Sequence, residues 1–125
     1  MKSKRTGLGK TNQLLELIIE GILERKGKDV VHIDLEKLDY AACDDFVICH
    51  GDSATQVRAL ADSVEDKLVD KLKIRVNHRE GTENAQWILL DYGNTVVHIF
   101  VKTARDYYRL EELWGDAKVT MIHDD

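Results

Sequence analysis

Residues 86–101 constrain the fold more than any other stretch: QWILLDY, then Gly93–Asn94, then TVVHIFV. Two β-branched and aromatic runs separated by two turn-forming residues predict a tight β-hairpin. Side chains alternate across a strand. Ile88, Leu90 and Tyr92 therefore share a face with Thr95, Val97, Ile99 and Val101. That set is almost wholly apolar, which predicts packing beneath helices. The opposite face carries Trp87, Leu89, Asp91, Val96, His98 and Phe100. A face sealed by a second helical layer does not usually hold Asp and His. A plain solvent face does not usually hold Trp, Phe, Leu and Val. Aromatic anchors among a few polar groups describe a protein-binding patch. A second small core, closed by a C-terminal segment with Tyr107, Tyr108, Leu110 and Trp114, describes the same pattern. Both readings hold together if that segment covers only part of the face.

The rest of the chain supplies the other elements. Leu14, Ile18 and Ile22 form an i, i+4 row within a predicted helix over residues 12–26. Thr11 or Asn12 would cap its start and Gly27 would follow its end. Strands are expected over 29–34 and 45–50. Ser53 with Gln56 forms a capping box opening the clearest amphipathic helix, whose apolar face is Val57, Leu60, Ala61, Val64, Leu68 and Leu72. A weak edge strand is expected over 73–78, broken by Gly81. A short final helix over about 103–113, capped by Thr103 and followed by Gly115, completes the order. The expectation is α/β or α+β: a mixed sheet of about five strands flanked by helices. A single domain is expected over residues 11–117, with a basic tail over 1–10 and a short C-terminal tail over 118–125.

The sequence of 125 residues is 43% hydrophobic and 33% charged, a globular profile. It contains no long apolar run for a membrane span and no secretory signal, so a cytoplasmic address is expected. The net charge is −5. Residues 1–10 hold four of the 18 basic residues and none of the 23 acidic ones, leaving 14 against 23, or −9, on the rest. Such a body suits a basic protein surface better than a phosphate backbone. No direct sequence-specific nucleic-acid contact is expected.

Motifs suggestive of chemistry fail on context. Gly9-Lys10-Thr11 resembles the end of a phosphate-binding loop, but the required earlier glycine position holds Lys4. Gly51-Asp52-Ser53 follows a strand and opens a helix, a geometry that can cradle phosphate. A nucleotidyltransferase would add paired carboxylates on one strand face; Asp44 and Asp45 are adjacent and point oppositely, and Asp91 stands alone. The five histidines show no metalloprotease spacing, and Cys43 and Cys49 make neither a metal set nor an expected disulfide. No metal, no cofactor and no catalytic residue is expected, and helix capping is the role expected of Ser53.

Several blocks at consistent spacings carry a resemblance. Glu80-Gly81, Ala85, Trp87, Leu89-Leu90-Asp91-Tyr92-Gly93 and Val96-Val97-His98-Ile99-Phe100 form the first. Asp45-Phe46-Val47-Ile48-Cys49 with Gly51, Ser53, Gln56-Val57, Ala61 and Val64 form the second. Arg105, Tyr107-Tyr108, Leu110-Glu111 and Leu113-Trp114-Gly115-Asp116-Ala117 form the third. Over roughly residues 12–117 the chain resembles the ribosomal silencing factor, or Iojap-related, family. Asn94 departs from it, standing where the family commonly has Asp. The resemblance implies a nucleotidyltransferase-like fold without the catalytic carboxylates. It also implies binding to the large ribosomal subunit through its protein number fourteen, a steric block of subunit joining, and repression of translation. The partner-binding residues expected are Trp87 and Phe100 as apolar anchors, Leu89, Val96 and Tyr108 beside them, Asp91 toward a cation, and His98 at the rim. A nucleotide-binding or nucleotidyltransferase-like enzyme is the alternative, and a homodimer through another surface, such as Lys73–His78, is compatible with the family reading.

Overall fold

Alternation along 87–101 sets the two faces of the sheet that the other strands extend. The computed structural model describes residues 9–123. In chain order these form α1 (Gly9–Glu24), β1 (Lys28–Asp34), β2 (Asp45–Gly51), α2 (Ala54–Leu72), β3 (His78–Glu80), β4 (Trp87–Asp91), β5 (Thr95–Val101), α3 (Lys102–Tyr108), a 3-10 helix (Leu110–Trp114) and β6 (Lys118–Met121). The sheet order is β3-β4-β5-β2-β1-β6. β2 runs parallel to β5, and the other four pairs are antiparallel. The expected mixed α+β architecture is present. Its sixth strand comes from residues expected as a tail. Lys118–Met121 pairs with β1, but all four residues are exposed, so no burial pattern marked them as a strand.

Helices α1 and α2 cover one sheet face. Val57, Leu60, Ala61, Val64 and Leu68 of α2 are buried. They join Ile18 and Ile22 of α1, Val47 and Cys49 of β2, Ile88 and Leu90 of β4, and Val97 and Ile99 of β5 in the main core. The hairpin's aliphatic face therefore lies where its pattern predicts. The two-residue Gly93–Asn94 connection is closed by the Tyr92 N–H donating to the Thr95 carbonyl at 2.9 Å. The two helices approach closely at Gly21, where a Cβ would lie 3.2 Å from the Val64 Cα. There the Ser63 hydroxyl donates to the Gly21 carbonyl at 2.8 Å.

Several helix ends differ from expectation. Thr11 and Asn12 lie within α1, which begins at Gly9. The left-handed residue after α1 is Lys26 (φ 65), with the Gly27 N–H donating to the Ile22 carbonyl. Lys73 (φ 58) closes α2 in the same way. That exit removes residues 73–77 from the expected strand, so β3 starts at His78. The final helix breaks at Arg109 (φ 49) into α3 and the 3-10 helix. Val101 precedes α3 without a side-chain cap, so Thr103 has no capping role. Of the expected basic segment, Gly9 and Lys10 begin α1, and residues 1–8 lie outside the described residues. Among the described residues, no helix is long and apolar enough to cross a membrane.

Gly81 fixes how β3 meets β4. Its φ is +88°, and a Cβ there would sit 2.0 Å from the Trp87 carbonyl oxygen. Gly81→Ala is expected to destabilise the fold by about 2 kcal/mol or more, since strain and a backbone clash add. A lowered urea midpoint checks this; a midpoint equal to wild type would contradict the packing described.

Candidate functional site

The second sheet face is covered only in part. β4 and β5 present Trp87 opposite Phe100, Leu89 opposite His98, and Asp91 opposite Val96. The parallel neighbour β2 adds Phe46 beside Val96. The 3-10 helix crosses this face and forms a second, smaller core with Val31, Ile33, Leu35, Ile48 and Phe100 at its centre. Trp114 meets Phe46 edge-on, with centroids 5.5 Å apart, and stacks on Tyr40 at 5.9 Å. The second-core reading of the hairpin's mixed face holds at one end, and the other end lies open.

Phe100 belongs to the core end. It is 0% exposed, packed against Trp87 at 4.8 Å and Tyr108 at 6.4 Å. The expectation that it anchors a partner directly is corrected: its strand places it beneath α3 and Trp87. His98 is 4% exposed, so it is a wall and not a rim residue. The Trp87 Nε1–H donates to His98 Nδ1 at 3.1 Å. Indole nitrogen is a donor only, so Nδ1 carries no proton. The other ring nitrogen, Nε2, is buried without a hydrogen-bond partner in the structure. Burial lowers the His98 pKa to about 4, keeping the imidazole neutral at pH 7.

The open end forms a groove of about 420 Å³ between the β1–β2 loop, the hairpin and Trp114. Leu89, Asp91, Val96 and His98 line it together with Leu35, Tyr40, Phe46 and Trp114. Among the described residues, Asp91 is the one charged residue in that lining. Its Oδ1 accepts from the Gly93 N–H at 2.7 Å, so the turn orients the carboxylate. Asp44 flanks the groove's loop. Its carboxyl is raised by burial first, then by the charges of Asp45, Glu36 and Asp34. Trp87 and Leu89 also line an adjoining hollow of about 220 Å³ with Glu80 and Gly81. Tyr108 stands apart from the groove, 51% exposed and 4.9 Å from Trp87.

The Gly51–Ser53 turn is occupied by structure. Ser53 Oγ accepts from the Gln56 N–H at 3.1 Å, as expected of a cap. Gln56 Oε1 accepts from the Asp52 N–H, and its Nε2 donates to the Arg25 and Lys26 carbonyls. Asp52 pairs with Lys28 at 2.9 Å. Asp45 contacts His32 Nε2 at 2.7 Å. Cys49 is fully buried, its thiol pushed up to about 12, and burial pushes the Cys43 thiol up to about 11.

Sequence reasoning missed two features. Phe46, Leu35 and Tyr40 line the groove because β2 pairs with β5, a partnership no local pattern announces. Arg105 is 8% exposed. Its Nη1 donates to the Asp29 carbonyl at 2.7 Å and to His50 Nδ1 at 3.1 Å, and its Nη2 pairs with Glu111 at 2.7 Å. Burial, then Arg105, lowers the His50 pKa. The only sequence signal for Arg105 was its place in the family-like block.

Fold and face together define an α+β domain with α1 and α2 on one side of the sheet, and α3, the 3-10 helix and an aromatic groove on the other. A family model described as "Ribosomal silencing factor during starvation" matches residues 9–125. The chain is similar to a ribosomal silencing factor from Halalkalibacterium halodurans, 41% identical over 105 residues, covering 84% of this chain and 88% of that one. It is similar to a solved Chromobacterium violaceum structure at TM-score 0.78 and 36% identity, covering 90% and 92% of the two chains. A more distant relative from Mus musculus, named for mitochondrial assembly of the ribosomal large subunit, is 25% identical over 103 residues, covering 80% and 44%. The chain belongs to the ribosomal silencing factor family and has a ribosome-silencing role.

His98 makes the fold acid-sensitive. Its folded pKa of about 4 lies below the unfolded value of about 6.5, so the unfolded state binds more protons between them. Stability is therefore fully present above about pH 6.5 and falls as pH drops toward 4. Relative to His98→Phe, the wild type is expected to lose about 2–3 kcal/mol more between pH 7 and 4.5. Urea midpoints of both proteins at the two pH values measure the difference; parallel slopes would contradict a neutral, buried His98.

Proposed function

We propose that this chain represses translation by docking its groove face on a basic protein of the large ribosomal subunit, the one numbered fourteen. The bulk of the domain then occupies space that the small subunit needs, and the subunits cannot join. The observation that carries this reading is the groove itself: apolar walls with one carboxylate, Asp91, as the charge in its lining. Leu89, Val96 and the exposed part of Trp87 supply the apolar contact. Asp91, already oriented by Gly93, pairs with a Lys or Arg of the partner. Tyr108 extends the surface beyond Trp87. The family's name and the large-subunit name of the mouse relative support a ribosomal site of action. Ribosomal proteins are generally basic, and the acidic body is complementary to such a partner. The site of action is then the cytoplasm, where bacterial subunits join.

Leu89→Arg places a cation on the groove wall without touching the main core. It is expected to weaken binding to purified large subunits by about 2 kcal/mol or more, roughly 30-fold, and to restore subunit joining. Co-sedimentation and subunit-association assays at fixed salt measure this. A folded variant that still co-sediments as wild type would place the docking surface elsewhere.

A further inference from the structure

We propose that His98 is a hydrogen-bond donor kept for the docked partner, its proton held on Nε2 because Nδ1 accepts from Trp87, and that its acceptor is a main-chain carbonyl of an apolar segment flanked by Lys or Arg. The inference rests on the docking reading above and deepens it.

The geometry fixes the donor. Trp87 Nε1–H lies 3.1 Å from Nδ1, so in the neutral ring the single proton is on Nε2. Besides its own apolar contact, Trp87 thus positions His98. Nε2 is buried without a partner, in a side chain 4% exposed that forms part of the groove wall. Buried donors are almost always satisfied, and an orphan beside an open groove points to an acceptor arriving with a ligand. Trp114, another wall residue, has its Nε1 in the same condition. A residue serving only to accept from Trp87 needs no second ring nitrogen buried without a partner, yet His98 keeps Nε2 inside the aromatic nest of Phe46, Trp87 and Phe100.

The chemistry of the acceptor follows from the charges. Among the described residues the groove lining contains Asp91 and no Lys or Arg, and Asp34, Glu36, Asp44 and Asp45 crowd the adjoining loop and its flanks. A partner carboxylate or phosphate would meet that field unfavourably. A neutral carbonyl from a cationic segment satisfies the N–H and the carboxylates together.

The test uses the full chain and purified large ribosomal subunits at pH 7. His98→Phe removes the orphan Nε2 together with the acceptor of the Trp87 N–H, so its Tm is expected to stay within a few degrees of wild type while affinity falls on the order of tenfold. Nitrogen-15 NMR of the free wild type should show His98 with a protonated Nε2 and a bare Nδ1, and the Nε2 proton should shift downfield on binding. Wild-type affinity in His98→Phe, with Leu89→Arg still failing to bind, would overturn the donor and leave the docking face standing. Wild-type affinity in both variants would remove the docking face and the donor with it. Should His98→Phe not fold, the wild-type spectrum decides: a proton on Nδ1 overturns the proposal.

Discussion

The parallel pairing of β2 with β5 holds two antiparallel units in one sheet. β1 and β6 lie on one side of it, and β4 and β3 on the other. Its register runs without a break from Asp45 opposite Thr95 to Gly51 opposite Val101. Because side chains alternate, this single register decides both faces at once. Val47 and Cys49 fall in with Val97 and Ile99 under the helices, while Phe46 and Ile48 join Val96, His98 and Phe100 opposite. A slip of one residue would send Phe46 into the helical core and Val47 into the groove.

Polar ties then fasten the peripheral pieces to this frame. Gln56 holds the end of α1 against the start of α2. Arg79 reaches from β3 to Asp62 and Glu65 on α2. Arg105 joins α3, the start of β1, His50 and the 3-10 helix through one guanidinium. A planar fork of five donors suits that task better than an ammonium would. Truncating it would leave Glu111 and two backbone carbonyls without their donor, the expensive direction for a buried ion pair.

The second face shows how one strand pair can serve two ends. Phe100 and Ile48 need cover, and α3 with Trp114 provides it. Leu89, Val96 and Asp91 lie beyond the reach of that cover. The 3-10 helix is five residues long and is already committed to Phe46 and the Tyr40 loop. What remains is a groove whose floor is rigid because it is the sheet itself, with polar groups oriented by the turn and by Trp87. Such preorganisation would lower the entropy lost in the docking proposed above.

Much of the fold could be read locally. The hairpin register follows from Gly93–Asn94 and period-two alternation, and α2 follows from Ser53 and its apolar stripe, because both signals repeat within a few residues. Helix ends were less legible: Lys26, Lys73 and Arg109 adopt left-handed backbone, which composition does not announce for a lysine or arginine. Strand β6 was invisible because its exposed residues depend on β1 for their hydrogen bonds and not on burial. For the site, Leu89, Asp91, Val96 and His98 were legible as a mixed face on one ribbon. Their sorting into wall and rim was not, nor was the burial of Phe100, since exposure depends on which distant segment crosses above. Thus alternation and turn chemistry, both short-range, determined the sheet's two faces from the chain alone. The groove, the orphan nitrogen of His98 and the bridging role of Arg105 came only with tertiary structure. They are contacts between residues up to 77 positions apart, and local propensity carries no information about such pairs.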